Sequence, residues 1–209
     1  MVGIHAAFTV SDETLHAACD IANEFGVGVH IHVAEGPDDA DAANRLRDLA
    51  RDNWLIIHGV HLEEALRGTL VHNPRSNMNN SVGYARPLRT KMSVALGTDG
   101  IGADMPEEAR VAFARLREDD LTASADVMER WVETSRDLFP ASRTDEVTWN
   151  YDHIDSVWHL MYTPGTRPLS VTIDGRTVLR DGLPTLVDIA EVRHQAALQA
   201  QRLHERLAA

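Results

Sequence analysis

The chain has 209 residues and a formal net charge of −12, from 32 acidic against 20 basic residues. That length carries one ordinary domain with a real core, and the acidic balance argues against a nucleic-acid partner held through phosphates. A single cysteine, Cys19, excludes an internal disulfide and fits a reducing compartment. Met1 runs into a short mixed segment rather than a leader, and no apolar run approaches the ~20 residues of a membrane helix. The expectation is a cytoplasmic protein without a membrane partner.

In chain order, Val2–Phe8 reads as a strand. Ser11 is placed to cap a helix from Asp12 to Phe25, which Gly26 ends. VGVHIHV (27–33) is a second strand, and Pro37 with the following Asp pair opens a helix to about Arg51. WLIIH (54–58) is a third strand, apolar throughout and so expected to be buried on both faces. GTLVH (68–72) is a fourth and MSVALG (92–97) a fifth, before helical patterns over 107–117 and 124–139. Strands alternating with helices predict βαβ units and a parallel sheet. One step is short for that pattern. Gly59–Gly68 has room for at most one helical turn, whereas a parallel crossover normally takes a dozen residues or more. From about residue 141 the pattern changes. Runs at 169–173 and 177–180 flank Asp174-Gly175, a hairpin turn signal. Asp188 caps a last helix to about Leu207, with Glu191 three residues on.

Polar groups recur where the apolar runs end: His5, then His32 and Glu35, His58, His72 and Asp99. In a parallel barrel these C-terminal strand ends are where active sites are built. His30 and His32 share one strand face because side chains alternate. His30 reads as a packed core residue, whereas His32 and the Glu35 just beyond it read as a metal-binding imidazole beside a proton-carrying carboxylate. Gly97-Thr98-Asp99-Gly100 puts a carboxylate on a tight turn after a buried strand. The alternative there is an ordinary loop aspartate, which the neighbouring histidines disfavour. The segment 71–77, VHNPRSN, is too dense in polar groups to be a plain linker. His61, His153 and His159 have no such placement, and His16, His194 and His204 read as helix-surface residues.

Four motifs carry a resemblance: VHIHVAE (29–35), IIHGVHL (56–62), LVHNPRSNMNNSVG (70–83) and LGTDG (96–100). In this order they resemble the amidohydrolase superfamily, in its branch of aminohydrolases and chlorohydrolases acting on nitrogen heterocycles. Within that branch, GTDGIGADM (97–105) and AFTVSDETL (7–15) look most like aminohydrolases linked by name to selenium metabolism. The resemblance implies an α/β fold, a partial (β/α)8 TIM-type barrel of about the last five strands over 1–140, with a hairpin and helix region over 141–209. It implies one divalent metal ion, zinc first and iron or manganese as alternatives. His32 and Asp99 would be metal ligands and Glu35, His58 and Asp99 catalytic groups. His5 and His58 would touch a small nitrogen heterocycle. The family also carries a metal-binding HxH on its first strand, and only four residues precede His5. The chain therefore reads as beginning at the family's fourth strand, with weak metal binding and a need for a partner: the N-terminal half, a second copy or a chaperone. The second hypothesis is a non-catalytic remnant that folds or oligomerises without chemistry.

Overall fold

A computed structural model describes residues 1–208 of the chain. It comprises two compact units, one of residues 1–138 with 156–162 and the other of 139–155 with the residues from Thr163 onward. The first unit holds a five-stranded all-parallel sheet in the order β1 (Val2–Ala6), β2 (Val29–Val33), β3 (Leu55–His58), β4 (Thr69–His72), β5 (Ser93–Leu96). The spatial order is the chain order, as in a segment of a (β/α)8 barrel.

The strands form where apolar residues alternate or run together. Val29, Ile31 and Val33 are fully buried, and with Ile56, Leu70, Val94 and Leu96 they face the helical layer. The opposite face carries the smaller set Leu55, Ile57, Val71 and Ala95. By alternation His30 and His32 belong to that second face. Helix α1 (Asp12–Glu24) starts at Ser11, whose side chain accepts from the Thr14 amide. It buries Leu15, Ala18, Cys19 and Ala22, one stripe at helical spacing. Gly28 admits the start of β2 close against its neighbour: a Cβ there would lie 1.8 Å from the Asn53 carbonyl oxygen.

The helix expected over 37–51 is broken up. A 3-10 turn covers Pro37–Asp39 and α2 is only Ala42–Leu46. The Asp39 side chain turns inward to accept from the Ala34 amide. The Arg51 guanidinium donates to the carbonyls of Asp48, Leu49 and Ala50, giving that backbone a partner outside a helix. The short crossover 59–68 contains no helix, yet β3 and β4 pair in parallel, Leu55 to Thr69 through Ile57 to Val71. One short helix escaped the sequence reading, α3 (Pro74–Asn79). Helix α4 (Met105–Asp119) is capped by Asp104, and α5 (Asp126–Asp137) packs Val127, Met128 and Trp131 into the core. The Ser135 hydroxyl on α5 accepts from the Leu96 amide at the end of β5.

In the second unit β6 (Glu146–Trp149), which the sequence did not announce, joins an antiparallel sheet. It is followed in the chain by the first unit's α6 (Val157–Tyr162), also unforeseen. The sheet order is β6, β7 (Pro168–Ile173), β8 (Arg176–Arg180), β9 (Leu183–Pro184). Ile173 pairs with Arg176 across Asp174-Gly175, both at positive φ (47° and 73°), as a two-residue hairpin turn of this hand requires. Helix α7 (Ile189–Ala208) follows, its first turn capped by Asp188. No helix among the described residues is long and apolar enough to cross a membrane.

Candidate active site

The site is assembled at the C-terminal ends of β2, β3 and β5. Each of these ends turns through a non-glycine residue in the left-handed region: Ala34 at φ 49°, His58 at 69° and Asp99 at 52°. Each such residue costs about 1–2 kcal/mol, and holding three together needs strong local support. At Ala34 the support is the amide's 2.8 Å hydrogen bond to buried Asp39, whose carboxyl burial pushes up. At His58 the turn redirects a side chain that strict alternation would send toward the helical layer with Ile56.

His58 is 1% exposed. Its Nδ1 donates to Asn77 Oδ1 at 2.9 Å. Its Nε2 lies 3.6 Å from Glu35 Oε2 and 3.8 Å from Asp99 Oδ2, too far for a direct hydrogen bond and close enough for a shared small partner. The His32 ring is 5.3 Å from that of His58 and 5.4 Å from that of His5. His30, expected as a core residue, is half-buried and meets His32 edge-on at 5.8 Å. Burial lowers the pKa of both His30 and His32, with His58 adding to the effect, so the neutral, ligating form is favoured. Asp99 is held below the usual carboxylate range, first by the Ser76 hydroxyl donating to Oδ2 at 2.5 Å, against some burial, and then by the Gly100 amide on Oδ1.

Thus His5, His32, Glu35, His58 and Asp99 are gathered on one rim. His72 is not with them. It is fully buried against Tyr84 and Trp131 on the helical side, and neither ring nitrogen has a hydrogen-bond partner among the described residues. Its parity on β4 places it beside Leu70's face rather than Val71's. The residues that sequence reasoning missed are those behind the rim: Asp39, Ser76, Asn77 and Asn80, the last donating to Glu35 Oε1 at 3.3 Å. For Ser76, Asn77 and Asn80 the signal was the polar density of 70–83, which a six-residue helix does not convert into any readable period; Asp39 had none.

A neutral imidazole and an ionised carboxylate are donors of the kind a divalent ion takes. In number they fall short. Among the described residues no group of three or more His, Cys, Asp or Glu is arranged to hold an ion, whereas protein zinc sites use three or four ligands. The set fits one side of a coordination sphere.

A parallel sheet in chain order whose strand ends gather histidines and carboxylates is the arrangement of a (β/α)8-barrel segment, the class of fold that builds its sites at those ends. The chain belongs to the Amidohydrolase family, whose sequence profile matches residues 1–129. It is similar to a 5-methylthioadenosine/S-adenosylhomocysteine deaminase of Desulforudis audaxviator, 29% identical over 251 residues covering 98% of this chain and 58% of the relative. It is also similar to a 5'-deoxyadenosine deaminase of Methanothrix thermoacetophila, 26% identical over 99% of the chain and 59% of the relative. Among solved structures, an adenosine deaminase from Xanthomonas campestris with bound zinc superposes with a TM-score of 0.82 at 19% identity, over 97% of this chain and 57% of that one. An atrazine chlorohydrolase from Arthrobacter aurescens complexed with zinc gives 0.71 at 17%, over 94% and 53%. The chain spans somewhat over half the length of the relatives it matches.

Proposed function

We propose that these 209 residues supply one side of the active site of a metal-dependent hydrolase of C–N bonds. The substrate class is an aromatic nitrogen heterocycle with an exocyclic amine, and the relatives' names point to an adenine nucleoside. The observation that carries this reading is the convergence of the Glu35 and Asp99 carboxylates on His58 Nε2, at 3.6 and 3.8 Å. Zinc, or iron or manganese in its place, would be held by His32 and Asp99, with its remaining ligands coming from outside these residues. Bound there, the ion would make a water acidic enough to act as a nucleophile near neutral pH.

The chain's own residues would then move protons. An Asp99 carboxylate oxygen takes the proton from the attacking water as its oxygen bonds to the amine-bearing carbon. The Glu35 carboxyl protonates the adjacent ring nitrogen, which receives the electron pair of the broken C=N bond. His58 Nε2 orients the water by hydrogen bonding. The proton on Asp99 passes to the amine, which leaves as ammonia while the C=O bond forms and the hydroxyl proton returns to the Glu35 carboxylate. His5, at the rim's edge, contacts the heterocycle. A non-catalytic role for the chain by itself is favoured by one observation, the lack of any three-ligand group among the described residues.

The test is ammonia release from a panel of adenosine, 5'-deoxyadenosine, 5-methylthioadenosine and aminated triazines. The 209-residue chain should release none. A chain joined to the part of a relative that it does not span, HxH included, should release ammonia, and Asp99→Asn or Glu35→Gln should abolish it. Activity of the isolated chain that Asp99→Asn removes would overturn the one-sided site. Silence of the completed barrel across the panel would favour the non-catalytic reading.

A further inference from the structure

Helix α3 and the residue that ends it reach three of the five polar groups at the rim from behind. Ser76 donates to Asp99, Asn77 accepts from His58, and Asn80, the residue that ends the helix, donates to Glu35. The helix is itself anchored. Arg75 makes a 2.6 Å ion pair with Glu108, a fully buried carboxylate on α4, and donates to the carbonyls of Ile101 and Gly102 in the loop that carries Asp99. One turn of helix therefore ties the β3 and β5 ends together.

Resting on the reading of His58 as a working group, we propose that Asn77 is a positioning residue that fixes His58 in one tautomer. An amide oxygen can only accept, so Nδ1 must carry the ring proton and Nε2 keeps a lone pair. That lone pair points toward the space between Glu35 and Asp99. Three acceptors then surround one point, and whatever sits among them must present protons or positive charge. This is the preference needed at a site that orients a water beside a cation. The arrangement has a structural cost that marks it as specific. Asn77 is 1% exposed and its Nδ2 has no partner, a burial penalty of about 1–3 kcal/mol that an apolar residue would avoid. An aspartate would avoid it too, but would place a full negative charge on the Nδ1 side and favour an imidazolium.

The measurement is the pair of ring ¹⁵N shifts of His58 in the metal-free 209-residue chain at alkaline pH, assigned by their loss in His58→Gln. The expected result is a protonated Nδ1 and an unprotonated Nε2, with well separated shifts. Asn77→Asp, which also offers only an acceptor, should keep that pattern. Asn77→Leu should bring the two shifts toward their mean while the other histidines stay in place. Three results would overturn the proposal: an averaged or Nε2-protonated ring in the native chain, an unchanged tautomer in Asn77→Leu, or an Nδ1-protonated ring that appears only in Asn77→Asp. If Asn77→Leu does not fold, the native chain and Asn77→Asp decide it alone. Because the tautomer is read without metal or substrate, its failure is separate from any failure of the hydrolase reading.

Discussion

His72 shows how one ring can be decisive for stability while lying outside the chemistry. Burial, with His58 and Arg115 adding to it, pushes its pKa down to about 3 from 6.5. The unfolded chain therefore binds a proton that the folded chain refuses between those values, so the stability from the neutral ring is present at neutral pH and lost as pH falls below about 6.5. Between pH 7 and pH 5 the loss from this residue should be about 2 kcal/mol, at ~1.4 kcal/mol per pH unit below the unfolded value. Urea unfolding at the two pH values should show that difference shrinking by this amount in His72→Leu, and an unchanged difference would refute the assignment. At this scale the sequence was informative where a polar residue closes an apolar run, as His32, Glu35, His58 and Asp99 do. It misled at His72, which closes a run with the same strand parity as His58 but lacks the left-handed φ at which His58 turns to the rim. That difference is one backbone dihedral, which composition does not reveal.

The elements were legible where length gave a period to read. The strands β1 to β5, β7 and β8 and the helices α1, α4, α5 and α7 followed from alternation or helical spacing, and the hairpin from its Asp174-Gly175 turn signal. Helix α3 spans six residues, too few to show a stripe, and β6 is exposed at most positions, so its pattern is weak. Helix α3 is nevertheless the element whose loss should be most costly locally, through the Arg75–Glu108 pair. Burial pushes the Glu108 carboxyl up while Arg75 opposes it. Arg75→Ala would leave that carboxylate buried and unpaired, and should cost about 3–5 kcal/mol by denaturant titration. Replacing both partners, Arg75→Met with Glu108→Leu, should recover most of that stability. A double variant as unstable as Arg75→Ala would show that the backbone contacts of Arg75, not the pair, hold the helix.

For the molecule as a whole, one consequence follows from a sheet whose outer strands, β1 and β5, each pair on one side only among the described residues. Unpaired strand edges favour association, so sedimentation of the isolated chain should show concentration-dependent self-association, and a strict monomer throughout would contradict that expectation. Dialysed against buffer, the chain should retain zinc well below one ion per chain by elemental analysis. Near-stoichiometric retention would mean that a further histidine, such as His30 on the same strand face as His32, completes the sphere. The helix-free crossover 59–68 has a consequence of another kind, in the order of folding. The other crossovers in this sheet are about twice as long, and closing a loop of ten residues takes only ~10–100 ns. Pairing of β3 with β4 is thus the least entropically demanding strand pairing in this sheet. Gly59 permits it by its positive φ, 58°, and because a Cβ there would sit 2.5 Å from Leu70 Cδ1. Leu70→Ala should therefore slow folding, with a φ-value of about 0.5–0.8, whereas Met128→Ala on α5 should act chiefly by speeding unfolding. The loop that looked like a deletion would then be the place where the sheet begins.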